Sequence, residues 1–341
     1  MWMEPFDQAA TVLYTLSLTS AGGFAALFLL RARRGDADER TRQSLEKHQD
    51  YFAYLSANID GAEPLLPPPG QLSPIELKAI QSKLLEWIET IGGEYRGRLT
   101  ALCRELGLVE QERKRLRSPK HAVRIEAAYR LGIMRAEQCT DELLQLLEQE
   151  GGESTAFVVG RSAAKCAETL DQLRRLLLHL IEYHPDAQQL IADIIASSSL
   201  DPAPLYIELL RMEDRETPVC VALIGLTGRN DPNAFGPLNR FISSECKEIR
   251  IKAAKALLQY SHMLPMERLG DLIRHSDWEI RAVAIKAIGE WQLDFDIEAL
   301  NEGMADEEWW VRHYSAASLA QLGPAGYPDR AFDLSAEGGT R

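Results

Sequence analysis

The side chains best suited to chemistry in this sequence sit together in the stretch HLIEYH. His179, Glu182 and Tyr183 recur at three- and four-residue spacing, which puts them on one face of a helix, and His184 follows. An imidazole beside a carboxylate can hold a divalent metal or relay a proton. The spacing matches no recognised zinc pattern, and Pro185 closes the segment, so it reads as a helix end at the surface. A hydrolase or transferase needs a convergent nucleophile, base and stabiliser. The chain contains no G-x-S-x-G, Walker A, G-x-G-x-x-G or H-E-x-x-H motif, and its other histidines are scattered. The expectation is therefore no catalytic residue, no metal ligand and no cofactor.

Three other groups of residues suit binding. Arg113, Lys114, Arg115 and Arg117, with Lys120 nearby, form a basic cluster. It reads either as a helix end complementing the C-terminal dipole, or as a contact for lipid headgroups or an acidic loop of a membrane partner. Between 290 and 308 lie eight acidic residues and no Lys or Arg, a solvated face or a dock for a basic partner. Directly after them come Trp309 and Trp310. One is expected to pack into the core in register with Trp278, the other to cover the end of the array or to anchor a partner.

Composition narrows the partners. In 341 residues, Lys and Arg number 38 against 51 Asp and Glu, a formal net charge of -13. That balance opposes non-specific nucleic-acid binding, which neutralises phosphates with clustered cations, and wholesale adsorption to an anionic membrane. Cys103, Cys139, Cys166, Cys220 and Cys246 are odd in number, widely spread and without a C-x-x-C pair. They read as buried thiols in a reducing compartment.

The elements that must position these residues are helices. Leu77, Ile80, Leu84, Leu85, Ile88 and Ile91 recur at helical spacing before Gly92 and Gly93 break the run, and a second helix covers about 94–106. No convincing strand pattern is present. A fixed period is the main feature: Arg250, Arg281 and Arg312 stand 31 residues apart, each after a β-branched residue and before an alanine-rich run. The same step backwards reaches Val219, where the arginine is lost; Arg124, in VRIEAA, carries the motif again. Each unit reads as two amphipathic helices that bury their apolar faces only against neighbours.

The phrases DWEIRAVAIKAIGEW and EEWWVRHYSAASLAQLG resemble the HEAT-repeat family over about 117–323. The resemblance implies an all-α, HEAT-type α-solenoid. It also implies a ladder between units, with Asp277 and Glu308 at the turn position for Arg281 and Arg312, and with Cys246 putting the rung at Arg250 in doubt.

At the N-terminus, Thr11–Leu30 is twenty residues without a charge, about 30 Å of helix and enough to cross a bilayer. Arg31, Arg33 and Arg34 follow it, no cleavage site does, and the basic flank predicts that everything beyond faces the cytoplasm. Ser17, Ala21 and Ala25, with Gly22 and Ala26 beside them, form a small-residue face that either docks another membrane helix or belongs to a plain anchor. The expected layout is a short external N-terminus (1–10), a transmembrane helix (11–31), a juxtamembrane helix (32–60), a Pro-rich linker (61–74), a helical repeat domain (75–323) and a disordered tail (324–341).

This whole layout resembles bacterial membrane-anchored HEAT proteins associated with family-2 glycosyltransferases. What that implies is a single-pass protein of the cell (inner) membrane, with its C-terminal domain in the cytoplasm. It would act as a protein-binding scaffold supporting a membrane glycosyltransferase in envelope or extracellular polysaccharide synthesis. A HEAT-like enzyme of the bilin-lyase type, acting on a bound chromophore or protein, is the alternative.

Overall fold

The computed structural model describes residues 39–150, 153–260, 263–291 and 297–322. These are all-α: no strand occurs among the described residues. The chain divides into two compact units between Ala136 and Glu137, so the domain expected over 75–323 is shared between them.

In the first unit, helix α1 covers residues 39–47 and α2 is Gln49–Asn58. Then follow α3 Pro74–Thr90, α4 Gly93–Glu105, α5 Leu108–Arg115 and α6 His121–Ile133. The start of α3 is written locally. Ser73 Oγ accepts from the Glu76 N–H, Glu76 Oε2 accepts from the Ser73 N–H, and Pro74 takes the first helical position, where no donor is needed.

The proline-rich stretch does not stand off as a spacer. Tyr51 donates to the Leu66 carbonyl at 3.1 Å, and the Leu66 N–H donates to the Tyr54 hydroxyl at 3.2 Å. Leu65 is buried, and the Arg98 guanidinium binds the carbonyls of Ile59, Gly61 and Glu63. Prolines that cannot join a helix leave their neighbours' backbone groups open, and here tyrosine and arginine side chains satisfy them.

In the second unit, a 3-10 turn at Glu137–Cys139 leads into α7 Thr140–Glu150, paired with α8 Ala156–Cys166. The pairs α9 Leu170–Tyr183 with α10 Gln188–Ala196, and α11 Ala203–Met212 with α12 Glu216–Leu226, follow. Next are α13 Phe235–Phe241 with α14 Lys247–Leu257, then α15 Met266–Ile273 with α16 Trp278–Trp291, and α17 Ile297–Gly303 with α18 Trp309–Gln321.

Each even-numbered helix from α8 to α18 also contacts the next even-numbered one. That double duty explains their alanines and glycines. Ala253 and Ala254 of α14 and Ala284 and Ala287 of α16 are buried. A Cβ at Gly289 of α16 would lie 2.7 Å from Ser318 Cα of α18. Helices covered on several sides need small residues wherever backbones approach.

Among the described residues no helix is long and apolar enough to cross a membrane. This corrects the expected single-pass location in the cell (inner) membrane with a cytoplasmic C-terminal domain. The longest described helix, α3, has 17 residues and carries Glu76, Lys78, Lys83, Glu86 and Glu89, whereas a span needs about 20 mostly apolar ones. Thr11–Leu30 lies outside the described residues, and so do Ser17, Ala21, Gly22, Ala25, Ala26 and the tail 324–341.

Candidate protein-binding surface

The repeating arginines set the helices that carry the surface. Arg124, Arg250, Arg281 and Arg312 each turn a guanidinium nitrogen back onto two loop carbonyls five and six residues earlier. The acceptors are Ser118 and Pro119, Ser244 and Glu245, His275 and Ser276, and Asp306 and Glu307. A charged donor thus closes the turn in front of α6, α14, α16 and α18.

Two of them also reach the following pair. Arg250 Nε meets Asp277 Oδ2 at 2.7 Å, and Arg281 binds Asp306 through both Nε and a terminal nitrogen at 2.9 Å. These guanidinium hydrogen bonds hold both carboxyls below the usual Asp range. The expected rungs therefore move: Asp277 serves Arg250, not Arg281, and Glu308 is the residue before α18 with no side-chain cap bond. Asp306 was missed as a rung although it lies 29 residues beyond Asp277, close to the period of the arginines. Cys246 does not interrupt the rung at Arg250, because the acid comes from the next unit.

The ladder fixes the start of α18, and Val311 is its first core residue, in register with Ile249 and Ile280. Ser315, Ser318 and Leu319 continue that face. Both tryptophans fall off it: Trp309 is 55% exposed and Trp310 47%. The expectation that one of them fills the core is corrected, since Val311 holds the inward position.

With His313 and Tyr314 they form an aromatic turn. Trp309 lies parallel to His313 (5.0 Å, 9°) and edge-on to Trp310 (4.7 Å, 79°), and Trp310 stacks towards Tyr314 at 6.0 Å. Lys286 Nζ sits 5.8 Å over the Tyr314 ring.

The basic cluster of the first unit is split by its neighbours. Glu112 is fully buried and accepts from Arg115 at 2.8 Å, Arg130 at 3.0 Å and Gln81 at 2.8 Å. Arg115 and Arg130 also bind Glu126. Arg115 is thus held inside a structural network, and Arg113 pairs with Glu110 at 3.7 Å. Lys114, Arg117 and Lys120 remain exposed. Glu112 stands three residues before Arg115 on α5, but Glu110 stands likewise before Arg113, so this spacing does not single Arg115 out; the contacts of Gln81, Arg130 and Glu126 do so only when α3, α5 and α6 meet.

A groove of about 800 Å³ opens in front of α10, α12 and α14. Ala192, Ala196 and Gly225 give it depth, and Lys247, Lys252 and Lys255 line it beside Glu248 and Glu279. Gly225 is required there, because a Cβ would come within 2.2 Å of the Tyr206 ring.

The histidines of α9 take no part in a common site. The ligand atoms of His179, Glu182 and His184 do not gather within 4.8 Å of one another. His179 stacks on Tyr183 at 4.6 Å, and His184 lies against Phe157 at 4.4 Å. Desolvation holds His179 below the usual imidazole range. Four of the five cysteines are buried, and burial pushes Cys103 up to about 12 and Cys220 to about 11, so neither is a ready nucleophile.

No family model matches the chain, and no curated protein matches it. Among solved structures, the crystal structure of an engineered protein from the Northeast Structural Genomics Consortium is similar at 18% identity, over 76% of this chain and 94% of that one, with a TM-score of 0.21. A likeness at that score carries no argument about fold or function.

Proposed function

We propose that this chain is a protein-binding scaffold, not an enzyme, and that its second unit is a HEAT-type α-solenoid presenting the binding surface. The solenoid reading is supported by paired helices whose second members stack on one another, and by arginine–aspartate rungs joining successive pairs. The observation that carries the function is the pair Trp309 and Trp310, adjacent, about half exposed and rigidly based on a ladder-fixed helix. Large aromatic side chains left in water on a folded surface are costly to display and are characteristic anchors for partners.

Lys114 and Arg117 give the first unit a separate charged contact. The membrane-embedded family-2 glycosyltransferase implied by the resemblance in layout is the first partner to look for. The test is affinity capture from native extract with the full chain, against Trp309→Ala/Trp310→Ala. A partner retained by wild type and lost by the double variant at unchanged helicity and Tm is expected. Equal capture by both proteins removes the aromatic turn as the binding surface. Full biological activity lost on changing His179 or Glu182 alone, with capture intact, overturns the scaffold.

A further inference from the structure

The aromatic turn has an electrostatic character of its own. Glu307 and Glu308 immediately precede Trp309, and both are exposed. Among the described residues neither carboxylate takes part in a hydrogen bond or a close ion pair, although both act through space on the Arg281 guanidinium. The nearby cations are already engaged. Arg281 is bound to Asp306, Arg312 holds the carbonyls of Asp306 and Glu307, and Arg274 faces Glu302 at 3.4 Å. The helix dipole at the start of α18 adds roughly half a positive charge, which two full carboxylate charges outweigh.

Exposed indole faces attract cations through the ring quadrupole. The same cluster already demonstrates this with Lys286 over Tyr314. A guanidinium is the group that satisfies both features at once. Its plane stacks on an indole while its forked N–H donors bind a carboxylate in pairs, and it sheds water more readily than an ammonium.

We infer that Trp309 and Trp310, with the carboxylates of Glu307 and Glu308, form a receptor for an arginine side chain displayed by a protein partner. This rests on the scaffold reading and adds the chemistry of the contact. An acidic or purely apolar partner segment leaves the two carboxylates uncompensated and is disfavoured.

The experiment is fluorescence anisotropy of labelled GGRGRGG on the full-length protein at low salt. The comparison peptides are GGEGEGG and the same sequence with citrulline in place of arginine, which keeps the shape and removes the charge. The arginine peptide is expected to bind at least threefold tighter than the citrulline peptide. That preference should vanish in Glu307→Gln/Glu308→Gln and in Trp309→Ala, both at wild-type Tm. Equal binding of the arginine and citrulline peptides overturns the proposal, as does an arginine preference that survives both variants. So does loss of a homodimer, seen by sedimentation, as the only effect of Trp309→Ala. Partner capture that depends on Trp309 and Trp310 but ignores Glu307→Gln/Glu308→Gln removes the arginine receptor and leaves the scaffold. Capture indifferent to both tryptophans removes the scaffold reading of this turn.

Discussion

Arg250 and Asp277 belong to successive helical pairs, lie 27 residues apart, and meet at 2.7 Å. The same guanidinium closes the turn before its own helix through the carbonyls of Ser244 and Glu245. One side chain therefore fixes both the start of α14 and its relation to the next pair. Arg281 and Asp306 repeat the arrangement.

Removing a rung should cost more than removing a neighbouring acid. Asp306→Asn loses charge-assisted bonds to Arg281 and is expected to destabilise the second unit by about 1–3 kcal/mol. Glu308→Gln should change stability by less than about 0.5 kcal/mol, as surface substitutions usually do. Urea unfolding of both variants checks this, and equal losses would point back to Glu308 as the rung.

The rungs also predict an acid limb. Asp277 and Asp306 have folded pKa values lowered chiefly by hydrogen bonds from Arg250 and Arg281. A lowered folded pKa stabilises the fold fully above the unfolded value, about 3.9, and that contribution is lost as pH falls through the folded value. Tm should therefore drop below about pH 4. In Asp277→Asn/Asp306→Asn, Tm starts lower at pH 7 and the drop is shallower. An unchanged slope would mean that other carboxylates carry the acid limb.

Glu112 is the charge whose loss the first unit should tolerate least. It is 0% exposed and neutralises Arg115 and Arg130. Glu112→Ala leaves both guanidiniums with Glu126 alone and takes the acceptor from the buried Gln81 amide, and is expected to cost about 3–5 kcal/mol, measured by chemical denaturation. Lys114→Ala and Arg117→Ala, one or two residues from Arg115, should leave stability nearly unchanged.

Gly289 and Gly236 offer a contrast in one residue type. A methyl at Gly289 would press on the backbone of Ser318, so Gly289→Ala should destabilise by about 1–3 kcal/mol. Nothing lies within 4 Å of a Cβ at Gly236, so Gly236→Ala in α13 should be neutral or stabilise by up to about 1 kcal/mol. Thermal melts of the two variants moving in the same direction would contradict the close approach of α16 and α18.

Much of the all-α fold was legible in the chain itself. The Ser73–Pro74–Glu76 start, the helical spacing of Leu77 to Ile91 and the 31-residue step of Arg250, Arg281 and Arg312 are local or periodic, and such signals survive without tertiary context. What they left open were choices between near neighbours. Nothing in the sequence separates Arg115 from Lys114 or Asp306 from Glu308, whereas the 31-residue step already aligns Val311 with Ile249 and Ile280, and Trp310 with Glu248 and Glu279. Each of these two choices depends on which group another helix brings within about 3 Å, Glu126 for Arg115 and Arg281 for Asp306. Those distances exist only after residues far apart in the chain have been packed together, so the helices could be read in advance and the partners of their side chains could not.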